Sequence, residues 1–206
     1  MTSNSSDQVD TPEEALFRLK EGNFRFINNM PENRDLLQAV SDTRDEQKPY
    51  AAILSCMDSR TSAELIFDQG VGDVFSIRIA GNVITEGVMG SLEYATAVAG
   101  SKLILVLGHT NCGAIKGACD RVRMGHLSSL LEQIEPAMGM TKGEFADRTS
   151  ANNEYVAAVT RSNVKHSMDE LMRRSSIVKE LVDSGKVAIE GAIYDVATGK
   201  VTFNGF

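Results

Sequence analysis

Tryptophan is absent from this 206-residue chain, and cysteine and histidine each occur only three times. A small, odd number of cysteines cannot build the disulfide framework of a secreted mini-protein, and suits metal binding, catalysis or plain packing instead. No stretch approaches the roughly eighteen consecutive apolar residues of a membrane-spanning helix. The opening Met1 to Asp10 lacks the apolar core of an export signal, which makes the cytoplasm the expected compartment. A basic surplus is missing too: 28 acidic against 21 basic residues leave a net charge of -7. Binding nucleic acid or an anionic membrane surface needs the opposite balance, so neither partner is expected.

What remains is a composition that folds. With 42% hydrophobic and 24% charged residues, the chain can bury one substantial core. We expect a single domain over residues 11–206, after a disordered lead-in at 1–10 that is rich in Ser, Asn and Asp. Thr11, Pro12 and Glu14 read as N-cap, first helical proline and capping-box acid. The helix they open carries Leu16, Leu19, Phe24 and Ile27, with a possible break at Gly22. The stretch 34–48 reads as a polar surface segment.

Tyr50 to Leu54 and Leu103 to Leu107 are continuous apolar runs, the pattern of strands covered on both faces, and Val74 to Ala80 is a third strand candidate with Gly81 and Asn82 as its turn. Gly87 to Ala99 has helical spacing, with Gly100 as its C-terminal cap. Further helices are expected over Leu127 to Ile134, Asn153 to Met172 and Ile177 to Val182. Val187 to Tyr194 and Lys200 to Phe203 read as a closing strand and hairpin. Strands alternating with helices predict an α/β fold with a mostly parallel sheet.

Two constellations carry chemistry, each directly after an apolar run, where α/β sheets gather functional groups. In Cys56-Met57-Asp58-Ser59-Arg60, an extended backbone puts a thiol, a carboxyl and a guanidinium on one face. In Gly108-His109-Thr110-Asn111-Cys112-Gly113, a helical turn would bring His109 and Cys112 to one side. Two thiolates and an imidazole form a soft ligand set suited to zinc. Three protein ligands with an exchangeable fourth position describe a catalytic site rather than a structural one. Taken alone, H-x-x-C suits a small buried cysteine equally well. Cys119 reads as packing, and His126 and His166 as surface residues.

At these positions the chain resembles the β-class carbonic anhydrases. The likeness covers Gly22-Asn23-Phe24-Arg25-Phe26, Ala51 through Asn82, Gly90 through Ala118, and Gly191-Ala192-Ile193-Tyr194-Asp195. The resemblance implies a parallel sheet of about four strands plus a C-terminal edge strand, flanked by helices, in a homodimer or dimer of dimers with the N-terminal helix reaching onto the partner. It implies one zinc ion per subunit on Cys56, His109 and Cys112, an Asp58-Arg60 catalytic dyad, and reversible hydration of carbon dioxide to bicarbonate. It further implies that Gln47, Phe75, Tyr94 and the Gly113 amide line the substrate pocket, some of them for the neighbouring subunit.

Zinc brings the pKa of a bound water to about 7, which is how such a site makes hydroxide at neutral pH. Asp58 then has two possible jobs, orienting that water or becoming the fourth metal ligand. Arg60 decides between them by holding the carboxylate. Gln47, together with the lack of the tryptophan found in members that rest closed, predicts the open form. Two other readings share these residues: hydrolysis of carbon disulfide or carbonyl sulfide by the same chemistry, and a non-catalytic zinc protein.

Overall fold

The apolar runs become the centre of a five-stranded sheet. The computed structural model describes residues 9–203. Strands β1 (Ala51–Ser55), β2 (Val74–Arg78), β3 (Leu103–His109), β4 (Ala188–Tyr194) and β5 (Val201–Phe203) lie in the order β2-β1-β3-β4-β5. The pairs β1/β2, β1/β3 and β3/β4 are parallel, and β5 runs antiparallel to β4. Every residue of β1 and β3 is buried, as continuous Ala, Ile, Leu and Val runs require, whereas the edge strand β2 is half exposed. The expected fold class is the observed one.

Helices cover both faces. On one side α1 (Pro12–Ile27) and α3 (Ala63–Ile66) pack Leu19, Ile66 and Phe67 against Ile53, Leu103 and Leu105. On the other, α4 (Glu86–Glu93), α8 (Asn153–Arg174) and α9 (Ser176–Asp183) bury Leu92, Val164, Leu171 and Val178 against Leu54, Ile104 and Val106. A third cluster, built largely from α5 (Gly113–Cys119), α6 (Gly125–Glu132), α7 (Glu135–Met140) and the first turns of α8, sits beyond the carboxyl ends of the strands and contains Cys56 and Cys112.

The start of α1 is the expected capping box. Thr11 Oγ1 accepts from the Glu14 amide at 3.2 Å, and the Glu14 carboxylate accepts from the Thr11 amide at 3.3 Å. Gly22 does not break this helix. A Cβ there would lie 1.7 Å from the Phe67 carbonyl oxygen, so glycine serves a close approach between α1 and the segment after α3. Asn23 completes the joint: its Nδ2 donates to the Ile66 and Gly199 carbonyls at 3.1 and 2.9 Å, and its Oδ1 accepts from the Val201 amide at 2.9 Å.

The 34–48 segment is more ordered than its polarity suggests. It holds α2 (Leu36–Asp42), capped by Asp35, whose carboxylate accepts from the Gln38 amide at 3.0 Å; none of its residues is buried. The helix expected over Leu127 to Ile134 divides into α6 and α7, with Pro136 in the first turn of the second. The helix after Glu86 continues past α4 through a π turn at Tyr94–Val98 to Gly100, at φ +81°. The expected lead-in falls mostly on residues 1–8, outside the described residues. Among the described residues, no helix is long and apolar enough to cross a membrane.

Candidate metal centre

Parallel pairing aligns the carboxyl ends of the strands: Ser55 at the end of β1 is in register with Arg78 at the end of β2 and with Leu107 of β3. Cys56 is therefore the first residue off β1, and His109 is the last residue of β3. The segment between His109 and Cys112 is not helical, contrary to the spacing argument. Asn111 takes a left-handed conformation at φ +58°, and Cys112 is the extended N-cap of α5, at φ -71° and ψ 122°. Asn111 reverses the chain, so Cys112 meets His109 through a turn.

The first constellation departs from expectation in the same way. Beyond Met57 the chain turns, with the Thr61 amide donating to the Asp58 carbonyl at 2.9 Å. Asp58 and Arg60 still meet, because the carboxylate closes on the turn. Its Oδ1 accepts from the Arg60 amide at 3.0 Å and from Nε at 2.9 Å, and Oδ2 accepts from Nη2 at 2.7 Å. This is a two-pronged, charge-assisted contact. Arg60 Nη2 also lies 3.5 Å from the Asn111 carbonyl, which links the two strand-end loops.

Cys56, His109 and Cys112 are all buried, and their ligand atoms lie within 4.8 Å of one another. The sulfurs are 3.9 Å apart. Two thiolates at about 2.3 Å from a tetrahedral zinc stand about 3.8 Å apart, so the spacing fits. His109 Nδ1 is 2.9 Å from the Thr110 carbonyl, which can only accept, so the proton resides there. Its Nε2, the remaining lone pair, is buried without a protein partner. The donor set, the sulfur spacing and this orphaned nitrogen together fit a zinc ion.

Electrostatics agree with geometry. A hydrogen bond with Cys112, together with His109 and the Gly81 amide, outweighs burial and pulls the Cys56 thiol down to about 4. Cys56 itself, with burial, pushes the Cys112 thiol far up, so the two thiols resist ionising together. Asp58 is held well below the usual carboxylate range, chiefly by the Arg60 side chain against the cost of burial.

Further residues support the ligands. The Gly81 amide points at Cys56 Sγ from 3.4 Å. Gly81 and Asn82 both have positive φ, and α8 grips them: Asn163 Nδ2 donates to the Gly81 carbonyl at 2.8 Å and Ser167 Oγ to the Asn82 carbonyl at 3.0 Å. No sequence motif singled out these contacts, since each acts on a backbone group.

The expected pocket residues are dispersed. Gly113 opens α5, where its amide has no acceptor within the helix. Phe75 and Tyr94 meet edge to face, with ring centroids 6.2 Å apart, in a cleft of about 470 Å³ between β2 and α4. Neither the metal-ligand set nor the dyad lines that cleft. Gln47 is exposed before β1 and makes no hydrogen bond with the described residues. Cys119 is buried in the last turn of α5, outside the ligand set, its thiol pushed up to about 11 by burial and Asp120. His126 is exposed and His166 half-buried.

A family model described as carbonic anhydrase matches residues 51–201, which contain every candidate ligand. The chain belongs to the β-class carbonic anhydrases. It is 36% identical over 197 residues to carbonic anhydrase 2 of Mycobacterium tuberculosis, covering 92% of this chain and 91% of that protein. The carbonic anhydrase of Mycolicibacterium smegmatis is 34% identical, with 92% of each chain covered. Among solved structures, the Coccomyxa β-carbonic anhydrase in complex with acetazolamide superposes with a TM-score of 0.70 at 24% identity, over 89% of this chain and 83% of that one. The tetrameric β-carbonic anhydrases of Sordaria macrospora give 0.68 at 21% identity, over 82% and 90%. This carbonic anhydrase therefore shares its sheet and flanking helices with both.

Proposed function

We infer that this enzyme catalyses the reversible hydration of carbon dioxide to bicarbonate and a proton, with one zinc ion held by Cys56, His109 and Cys112. One observation carries the reading: a buried two-thiol, one-imidazole set stands beside a carboxylate whose two oxygens are both engaged by an arginine. Zinc bound there supplies the Lewis acidity that makes water nucleophilic at neutral pH.

The chain's own residues do the rest. Asp58 stays ionised, because Arg60 depresses its pKa, and so it can only accept a proton or a hydrogen bond. Arg60 occupies both lone pairs of Oδ1 and one of Oδ2. The free lone pair on Oδ2 is the acceptor that orients the reacting water. With the carboxylate so engaged by Arg60, Asp58 would be kept from serving as a further metal ligand, the open form.

The working unit in this reading is a homodimer or a dimer of dimers. Exposed apolar side chains on α1 and α2, among them Phe17, Phe24, Leu36, Leu37 and Val40, support it. Gln47, Phe75 and Tyr94 then complete the partner's pocket rather than their own.

Stopped-flow carbon dioxide hydration with zinc content measured alongside tests the assignment. We expect Cys56→Ser to lose zinc and activity together, and Asp58→Ala to keep zinc while losing about 10²- to 10⁴-fold in kcat. Full activity in Asp58→Ala would remove the dyad from the mechanism, and an inactive zinc-loaded wild type would defeat the whole reading.

A further inference from the structure

We propose that Arg78 is a positioning residue for this reaction: together with Thr61 it fixes the backbone around Asp58, and so keeps the carboxylate on Arg60 and off the metal. This inference rests on the proposed metal site and dyad.

Arg78 is the last residue of β2 and is paired in register with Ser55, so its side chain leaves the sheet beside the first residues of the Cys56–Arg60 turn. Its Nε donates to the Cys56 carbonyl at 3.2 Å and its Nη2 to the Asp58 carbonyl at 2.6 Å. One planar fork thus spans two carbonyls that flank Met57. Among the described residues Arg78 forms no ion pair, so these two backbone groups are what its charge serves.

Thr61 approaches the same two oxygens. Its buried hydroxyl lies 2.8 Å from the Cys56 carbonyl and 2.8 Å from the Asp58 carbonyl. A hydroxyl has one proton and can serve only one of them at a time. The guanidinium supplies the two further donors that keep both peptide planes fixed together. With those planes fixed, Asp58 can move only about its side-chain torsions, and Arg60 restrains these.

Removing the fork leaves the Cys56 carbonyl dependent on a hydroxyl shared with Asp58, whose own carbonyl keeps the Thr61 amide, so the Cys56 peptide is freed to rotate and the Asp58 backbone moves with it. A shift near 1 Å is enough to misplace a catalytic group by about 10²-fold in rate. It is also the freedom that the carboxylate needs to leave Arg60 and take the metal's fourth position. Lysine cannot replace the fork, since an ammonium is a single point of charge. Arg78 is exposed, so its replacement removes no core packing.

The test uses full-length zinc protein and its cobalt(II)-substituted form, whose visible absorption reports the ligands on the metal. Arg78→Gln is expected to keep one metal per chain, to lose about ten- to a hundredfold in kcat with KM little changed, as for other residues that orient a metal site from outside it, and to alter the cobalt spectrum. Arg78→Lys should fall between Arg78→Gln and wild type in both readouts. An unchanged cobalt spectrum in Arg78→Gln, or activity that falls only as metal is lost in both variants, would overturn the proposal. A wild type that fails to hydrate carbon dioxide would sink the functional reading alone, because the cobalt comparison still decides whether Arg78 controls the metal's ligands.

Discussion

The strand-end loops and the N-terminal arm are opposites in what they leave without a partner. Near the loops, unpartnered atoms among the described residues are polar and buried, His109 Nε2 among them, beside the Cys56 and Cys112 thiols. On α1 and α2 the unpartnered groups are apolar and exposed, with Leu37 at 82% exposure and Phe17 at 62%. The first pattern calls for a cation, the second for an apolar protein surface. Within one chain the candidate metal ligands and the Asp58–Arg60 contact come together, whereas the apolar side chains of α1 and α2 find no cover there.

The arm is nonetheless fastened to the body at its inner end, and three substitutions probe where fastening stops. The largest effect is expected for Gly22→Ala, because its Cβ would overlap the Phe67 carbonyl and force α1 off the sheet. We expect a loss of about 3 kcal/mol in urea unfolding, at the upper end of overpacking costs. A loss under about 0.5 kcal/mol would mean that the arm is not seated as described.

Asp68 comes next. It is buried at φ +47°, with Oδ2 accepting from Arg25 Nε at 2.5 Å and Oδ1 from Arg34 Nη1 at 2.6 Å. Burial opposes its ionisation, but Arg34 and Arg25 outweigh burial and leave its pKa below the ordinary value. A depressed folded pKa stabilises the fold above the unfolded value, about 3.9, and that contribution disappears as pH falls below it. Asp68→Asn, which tolerates the same backbone conformation, should lose about 2 kcal/mol at pH 7. It should also flatten the stability curve below about pH 4, read by chemical denaturation across pH.

The smallest effect on the single chain is expected at the outer end. Leu37→Asp should leave zinc content and secondary structure unchanged, with stability within about 0.5 kcal/mol, while lowering the sedimentation mass toward one subunit. An unchanged mass would move the assembly surface away from α2.

The candidate ligands Cys56 and His109 are legible in the sequence because each stands at the end of a buried run, where topology brings them together, whereas Cys112 joins them through the turn at Asn111. Their local geometry is not legible. Periodicity reasons about extended and helical backbones, and it cannot see that Asn111 reverses the chain or that Asp58 closes a turn on Arg60. The helix α2 escaped notice because its apolar residues face outward, and Gly22 was misread because a close approach leaves the same mark in sequence as a break. Arg78 and Thr61 carry no motif at all. The signal that could have found Arg78 is its place as a cation ending a strand, level with the ligand strand.

The order β2-β1-β3 has a consequence for how the protein is made. Cys56 and Cys112 are 56 residues apart in the chain, and they become neighbours only when β3 lies beside β1. A nascent chain that has not yet presented β3 and the turn beyond it offers a metal one isolated thiol. The set of Cys56, His109 and Cys112 therefore exists only once β1 and β3 are paired, and a chain that stops short of that pairing has no assembled set to offer.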